Sequence, residues 1–309
     1  MAGRFYGRNL PLAALPAPHS RHGSDNRSVR FKATLPFAAM IWLAVAGTAI
    51  ASRSDLPSSA QSSARPSWSD EFSGRAGQRP DPDKWKFDLG ASGWGNRELQ
   101  RYTSSRSNSR IDGRGHLRII ARHREGSGIR RGSYTSARLT TAGRFGFKYG
   151  RVAIRAKLPK GRGLWPAFWM LGEEFPGVDW PFCGEIDVME NLGQKIRISS
   201  AFVHGPGSMA DTGIGGFHRS RTSLAKGFHV FAADWSAELI TFSVDGEVFR
   251  RVPKATYPSG QTWAFDRRMF LLLNLAVGGS WPGKPSAATR FPARFVIDWV
   301  RVWKAAGSG

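Results

Sequence analysis

Three acids stand within six residues, at Glu185-Ile-Asp187-Val-Met-Glu190. In an extended segment, residues two apart leave the same face, so Glu185 and Asp187 project together. Glu190 lies three residues beyond Asp187 and would turn to the other face of a regular strand. One extra residue, a bulge at Val188-Met189, returns it to the first face. Like charges gathered this way repel, and at least one proton is held at a raised pKa. Hydrolysis of a glycosidic bond uses such a set. An ionised carboxylate attacks the anomeric carbon, a protonated one donates to the leaving oxygen, and a spacing of about 5–5.5 Å gives retention. The middle acid can hydrogen-bond the nucleophile and tune its charge. A calcium site or an exposed acidic strand would draw on the same residue types, and the triplet alone leaves these open.

The elements that must position these acids are strands. Between 68 and 304 the chain shows period-2 runs separated by Gly, Pro and Asp turns. Val152, Ile154, Ala156 and Leu158 alternate with Arg151, Arg155 and Lys157, and Leu117, Ile119 and Ala121 with Arg118 and Arg122. The segments 239–244 and 247–252 flank Asp245-Gly246, the signature of a type I′ hairpin. The runs 269–277 and 295–303 are apolar enough to be covered on both faces. No helix of ten residues is expected after the leader. The pattern predicts an all-β fold, an antiparallel two-sheet β-sandwich of jelly-roll type with a concave cleft. There is no internal repeat and no sign of a second folded domain.

Residues 1–34 carry five arginines and Lys32 against Asp25. An uncharged run, 33–52, follows and closes on Ala49-Ile-Ala51. Basic flank, short apolar core and small-residue exit predict a signal peptide over 1–51. The apolar core is short for a membrane span. The expected location is secreted or periplasmic after cleavage, or membrane-anchored where the leader is retained. Residues 52–66 are Ser/Pro-rich and read as a linker, 67–305 as the catalytic domain and 306–309 as a tail. One cysteine, Cys183, excludes a disulfide framework and CxxC zinc sites. It reads as a small buried hydrophobe. No GxSxG, HExxH, Walker A or dinucleotide fingerprint is present.

Several stretches together carry a resemblance. Gly184-Glu-Ile-Asp-Val-Met-Glu-Asn191 is similar to the active-site signature of glycoside hydrolase family 16. Trp68-Ser-Asp-Glu-Phe72, Gly93-Trp-Gly-Asn-Arg-Glu-Leu-Gln100, Ser136-Ala-Arg-Leu-Thr140 and Leu164-Trp-Pro-Ala-Phe-Trp-Met-Leu171 resemble its laminarinase-like branch, the endo-β-1,3-glucanases. So do Trp180-Pro-Phe-Cys-Gly184, Leu273–Gly283 and Ile297-Asp-Trp-Val-Arg301. The resemblance implies a concanavalin A-like jelly roll and hydrolysis of internal β-1,3 bonds in laminarin-type β-glucans. Residue by residue it makes Glu185 the nucleophile, Asp187 the assisting carboxylate and Glu190 the general acid/base. It places Trp94, Asn96 and Glu98 in a loop on the glycone side of the cleft, with Arg138 and His204 directed towards sugar. Trp165 and Trp169, four apart on an extended segment, share a face and are expected to stack on pyranose rings. Asn274 interrupts an apolar strand and needs hydrogen-bond partners, a cleft hydroxyl among the candidates. Trp281 is a subsite wall or a loop plug.

No cofactor is expected for the chemistry. The resemblance implies a structural calcium ion held by Glu71, the carbonyl of Gly115 and Asp298. Asp298, placed between two valines expected to point inward, is explained as well by an arginine partner.

The chain's net charge is +22. Without the leader it is +17, and residues 101–131 alone carry nine arginines against Asp112 and Glu125. A solvated face with charged edge strands accounts for this, as does attraction to an anionic glycan or cell surface. No nucleic-acid module accompanies the charge, so nucleic acid is not expected as a partner. The expected partner is a polysaccharide substrate, and the protein is expected to be a monomer. Other activities on the same scaffold stay open, on mixed-linkage β-glucan, on acidic exopolysaccharide or by transglycosylation. So does a non-catalytic jelly-roll lectin, which would not require three like charges on one face.

Overall fold

Alternating side chains and Gly-rich turns produce eighteen strands in the computed structural model, which describes residues 65–207 and 212–305. The leader 1–51, most of the linker and the tail 306–309 lie outside the described residues. The first eight strands are β1 (Trp68–Asp70), β2 (Lys86–Asp88), β3 (Gln100–Tyr102), β4 (Ser109–Ile111), β5 (Leu117–His123), β6 (Tyr134–Ser136), β7 (Arg138–Thr140) and β8 (Gly146–Phe147). Then come β9 (Gly150–Lys157), β10 (Leu164–Gly172), β11 (Glu185–Glu190), β12 (Ile198–His204) and β13 (Ile214–Arg219). The last are β14 (His229–Trp235), β15 (Leu239–Val244), β16 (Glu247–Pro253), β17 (Met269–Val277) and β18 (Ala293–Lys304). Two single 3-10 turns, Gly193–Lys195 and Lys254–Thr256, stand among the strands of the described residues.

The strands form two sheets. One has eight strands in the order β13-β12-β11-β10-β17-β7-β2, with β8 paired to β17. The other has ten, β16-β15-β14-β9-β18-β5-β6-β3, with β1 and β4 at its margin. All pairings are antiparallel except β3 with β6. The inner faces meet in one large core. Phe168, Met170, Ile186, Leu271 and Leu273 come from the first sheet, and Val152, Ile154, Phe231, Phe295 and Val300 from the second. This is the two-sheet sandwich that the alternation predicts. At the β15–β16 turn Asp245 and Gly246 both take positive φ, 51° and 84°, as the type I′ hairpin requires.

The two long apolar strands behave differently. β17 is buried along its whole length. Leu271, Leu273 and Leu275 face the core, while Phe270 and Leu272 join a small second cluster with Leu171 and Cys183. β18 was expected to be covered on both faces, and it is not. Its pairing with β9 slips between Ile297 and Trp299. Phe295 and Ile297 point inward before this bulge, and Val300 and Val302 after it. Val296 is therefore outward, and Asp298 sits in the bulge on the outer surface instead of between two inward valines. An irregularity that parity cannot register moved it.

Candidate active site

The acid triplet lies on β11, in the middle of the eight-stranded sheet. Gly184 enters the strand at φ 74°, and a Cβ there would stand 2.5 Å from the carbonyl oxygen of Ala264, so glycine is needed at this approach. Across β12, Glu185 opposes His204, Asp187 opposes Phe202 and Glu190 opposes Ser200, with the register shift between Asp187 and Glu190. Three residues of β11 thus span two of β12. Against β10, Phe168 pairs with Met189 and Trp169 with Asp187, leaving Val188 as the extra residue. The bulge lies where the spacing predicted it. Ile186, Val188 and Met189 fill the core, and all three carboxyls leave by the opposite, open face.

That face is nearly dry at its centre. Asp187 and Glu190 are only 3% and 8% exposed, while Glu185 is half-buried. Trp165 Nε1 donates to Glu190 Oε1 at 2.9 Å, and the Ser200 hydroxyl donates to the Glu190 carbonyl at 3.3 Å. His204 Nε2 lies 3.2 Å from Asp187 Oδ2. The ligand atoms of Glu185, Asp187 and His204 all fall within 4.8 Å of one another, near enough to feel one another's charge. Burial, and then the charge of Asp187, push Glu185 up to about 8, with His204 pulling the other way. The same two causes hold Glu190 well above the ordinary carboxylate range, against the pull of His204 and the Trp165 hydrogen bond. A raised pKa favours the protonated form of Glu190, the direction a proton donor needs.

The two flanks of the triplet are built differently. On the β10–β17–β7 side, Trp169 Nε1 donates to Asn274 Oδ1 at 2.7 Å, and Asn274 Nδ2 donates to the Tyr102 hydroxyl at 3.2 Å. The Arg138 guanidinium lies 4.8 Å from the Trp94 ring and 4.7 Å from the Trp169 ring, with its Nε 2.9 Å from Asp88 Oδ2. Glu98 accepts from Gln100 and from the Tyr102 hydroxyl. Burial raises its pKa despite Gln100 and Arg138. The loop 93–98 is closed by the N–H groups of Asn96 and Glu98 on the Gly93 carbonyl, with Trp94 at φ 52°. Ser280 N–H donates to the Asn96 carbonyl at 2.8 Å and ties in the loop that carries Trp281. Trp281 is 41% exposed and meets Trp165 edge-on at 5.4 Å. On the other flank, His204, Phe202 and Phe217 continue along the open face of β12 and β13, beside an exposed Trp180.

A family model described as "Glycosyl hydrolases family 16" matches residues 97–301. A β-glucanase of Rhodothermus marinus is 42% identical over 247 residues, spanning 77% of this chain and 84% of that protein. The chain belongs to glycoside hydrolase family 16. Among solved structures, the endo-β-1,3-glucanase of Pyrococcus furiosus superposes with TM-score 0.73 at 42% identity, covering 79% of this chain and 95% of that one. The laminarinase catalytic domain of Thermotoga maritima MSB8 gives 0.72 at 41%, covering 79% and 99%. The jelly-roll fold expected from the strand pattern is the fold of these relatives.

Within this family 16 chain, most of the expected site residues gather on the one open face: Glu185, Asp187, Glu190, Trp94, Arg138, Trp165, Trp169, His204 and Trp281. Two others, Asn274 and Glu98, are buried with partners inside the protein. Asn274 spends both ends of its amide on Trp169 and Tyr102, and Glu98 is buried against Gln100 and Tyr102. Both support the cleft from beneath. Asn96 is exposed, its amide donating to the Trp94 carbonyl at 3.4 Å. Tyr102, Gln100, Phe202 and Phe217 were not singled out in sequence. The parity of β12 could have flagged Phe202, but Phe217 shares its face only through a register that sequence does not print. Cys183 is fully buried beneath one end of the cleft, and burial pushes its thiol up to about 11.

The expected calcium donors lie elsewhere, on the ten-stranded sheet, and they hold arginines. Both carboxylate oxygens of Glu71 accept from Arg301, at 2.9 and 2.8 Å. Asp298 is paired with Arg155, and His116 Nε2 lies 3.9 Å from its other oxygen. Next to Gly115, Asp112 accepts from Arg118 and contacts His116. Of the two explanations for Asp298, the arginine partner is the one observed. So arranged, the donor set does not fit a calcium cage, because each expected carboxylate already carries a cation.

Proposed function

We propose that the protein is a retaining endo-β-1,3-glucanase acting on laminarin-type β-glucans. The observation that carries this reading is the bulged β11, which turns three carboxyls onto one aromatic-lined face where burial and Asp187 raise the pKa of Glu190. Its relatives' activities on β-1,3-glucan supply the substrate class. Glu185, as carboxylate, attacks the anomeric carbon while the glycosidic C–O bond breaks, and Glu190 gives its proton to the departing oxygen. Glu190 then takes a proton from water as that water attacks the same carbon. The ester bond to Glu185 breaks, and the β configuration is restored. Asp187 hydrogen-bonds Glu185 and sets its charge, and His204 orients Asp187. The two glutamates supply the whole reaction, and catalysis in this family needs no cofactor. We further read the Glu71–Asp298 cluster as an ion-pair network and not a calcium site. The leader supports export, tested by the N-terminus of protein recovered outside the cytoplasm. We expect a monomer.

The substrate is tested by reducing-sugar release from laminarin, lichenan, agarose, carrageenan and a succinylated glycan. Laminarin should be cleaved fastest, with short oligosaccharides appearing early. Preference for an acidic glycan would overturn the assignment and give the basic surface a substrate role.

A further inference from the structure

We infer that Phe217 and Phe202 form a second sugar platform, on the side of the carboxylates opposite Trp165 and Trp169, that sets how much polymer the protein grips. The inference rests on the glycan-hydrolase reading above. Register places these rings. Glu190 opposes Ser200 on β12, and Ser200 opposes Phe217 on β13. Directly opposed residues share a face, so Phe217 stands on the carboxylate face, two strand spacings or about 10 Å from Glu190. Phe202 opposes Asp187 on one side and Gly215 on the other. A Cβ at Gly215 would come within 2.5 Å of the Phe202 ring, so the glycine leaves room for that ring to lie across towards β13. There it meets Phe217 edge to face, with centroids 5.5 Å apart and planes at 77°.

Phe217 is 63% exposed, whereas among the described residues the other large apolar side chains on the strands of this sheet are buried or partly buried. Packing does not explain its exposure, since little of the ring is buried by folding. A polysaccharide lying across the triplet does. It must leave the carboxylates on both sides, and on this side its next rings pass over Phe202 and Phe217. Pyranose rings present C–H faces to which an aromatic ring offers a flat apolar partner. The platform's occupant is thus the continuing chain of the substrate being cut.

The test is kcat/KM on a series of β-1,3-gluco-oligosaccharides of increasing length, for wild type, Phe217→Ala and Phe217→Trp. Phe217→Ala should lose about three- to tenfold on the longest members, mainly in KM, with the loss shrinking as the chain shortens. Cleavage positions should shift, the melting temperature should hold, and Phe217→Trp should restore the length dependence. A loss equal at all lengths, no loss at all, or a change in oligomeric state in place of a length effect would overturn the platform. Wild-type activity on laminarin is read first. Were it absent, the substrate assignment would fall, and the same series built from the glycan that is cleaved would test the platform separately.

Discussion

Two acidic clusters in this molecule have the same residue types and opposite surroundings. On β18 and its neighbours, Glu71, Asp112 and Asp298 each meet a guanidinium. The Arg301 hydrogen bond lowers Glu71. Burial would raise Asp112, but the Arg114 N–H, His116 and Arg118 outweigh it and bring it to about 2. On β11, Glu185 and Glu190 are pushed up by burial and by Asp187. There, the Trp165 indole brings Glu190 a hydrogen bond without charge, while His204 and, less strongly, Arg138 pull Glu185 down without offsetting its burial. With 45 basic residues in the chain, keeping arginine off Glu190 is a specific feature of the site. Paired acids hold sheets together, whereas acids denied a cation keep the proton that bond cleavage needs.

The sharpest way to break this contrast is to remove each kind of acid. Glu190→Ala and Glu185→Ala should each lower kcat on laminarin by about 10³-fold or more. Both should melt at or above the wild-type temperature, because like-charge repulsion and burial cost are relieved. Asp112→Ala should do the reverse, leaving kcat/KM unchanged and costing about 1 kcal/mol of stability in urea melts, since it removes the shared acceptor of the Arg114 and His116 N–H groups and of part-buried Arg118. The Asp112 contribution has a sign in pH. Its pKa is lower in the folded state than its usual 3.8, so its stabilisation is present above about 3.8 and is lost as pH falls towards 2.

A smaller effect sharpens the catalytic side. The rate requires Glu185 ionised and Glu190 protonated, so the acid limb of the kcat/KM profile should lie above the ordinary carboxylate range. His204 lowers Glu185, so His204→Gln should move that limb to higher pH, and an unmoved limb would remove His204 from the electrostatics of the site. The smallest effect concerns metal. A chelator should leave the melting temperature of the protein unchanged, because arginines hold Glu71 and Asp298. A drop of several degrees restored by calcium would reverse that reading.

The catalytic strand was legible in the sequence because its information is local. Glu185, Asp187 and Glu190 obey a two-residue period with one bulge, and the spacing located that bulge. β18 was misread by the same logic, since nothing in the sequence marks the slip between Ile297 and Trp299. Trp165 and Trp169 could be assigned to one face by parity within a strand. Phe217 could not be placed beside Glu190, because that neighbourhood needs two strand registers at once. Asn274 announced itself as a polar residue in an apolar strand, Glu98 came only with the loop that the resemblance marked, and neither's partners could be read from sequence.

The division of labour proposed for β11 gives Glu185 the covalent bond to sugar and Glu190 the proton. It is tested by treating Glu185→Ala with azide and an activated β-glucosyl donor and reading the product by proton NMR. Rescued turnover and an α-glycosyl azide are expected, since azide takes the place vacated on the nucleophile's face. A β-glycosyl azide would contradict it, because azide would then be attacking a glycosyl-enzyme formed on another residue.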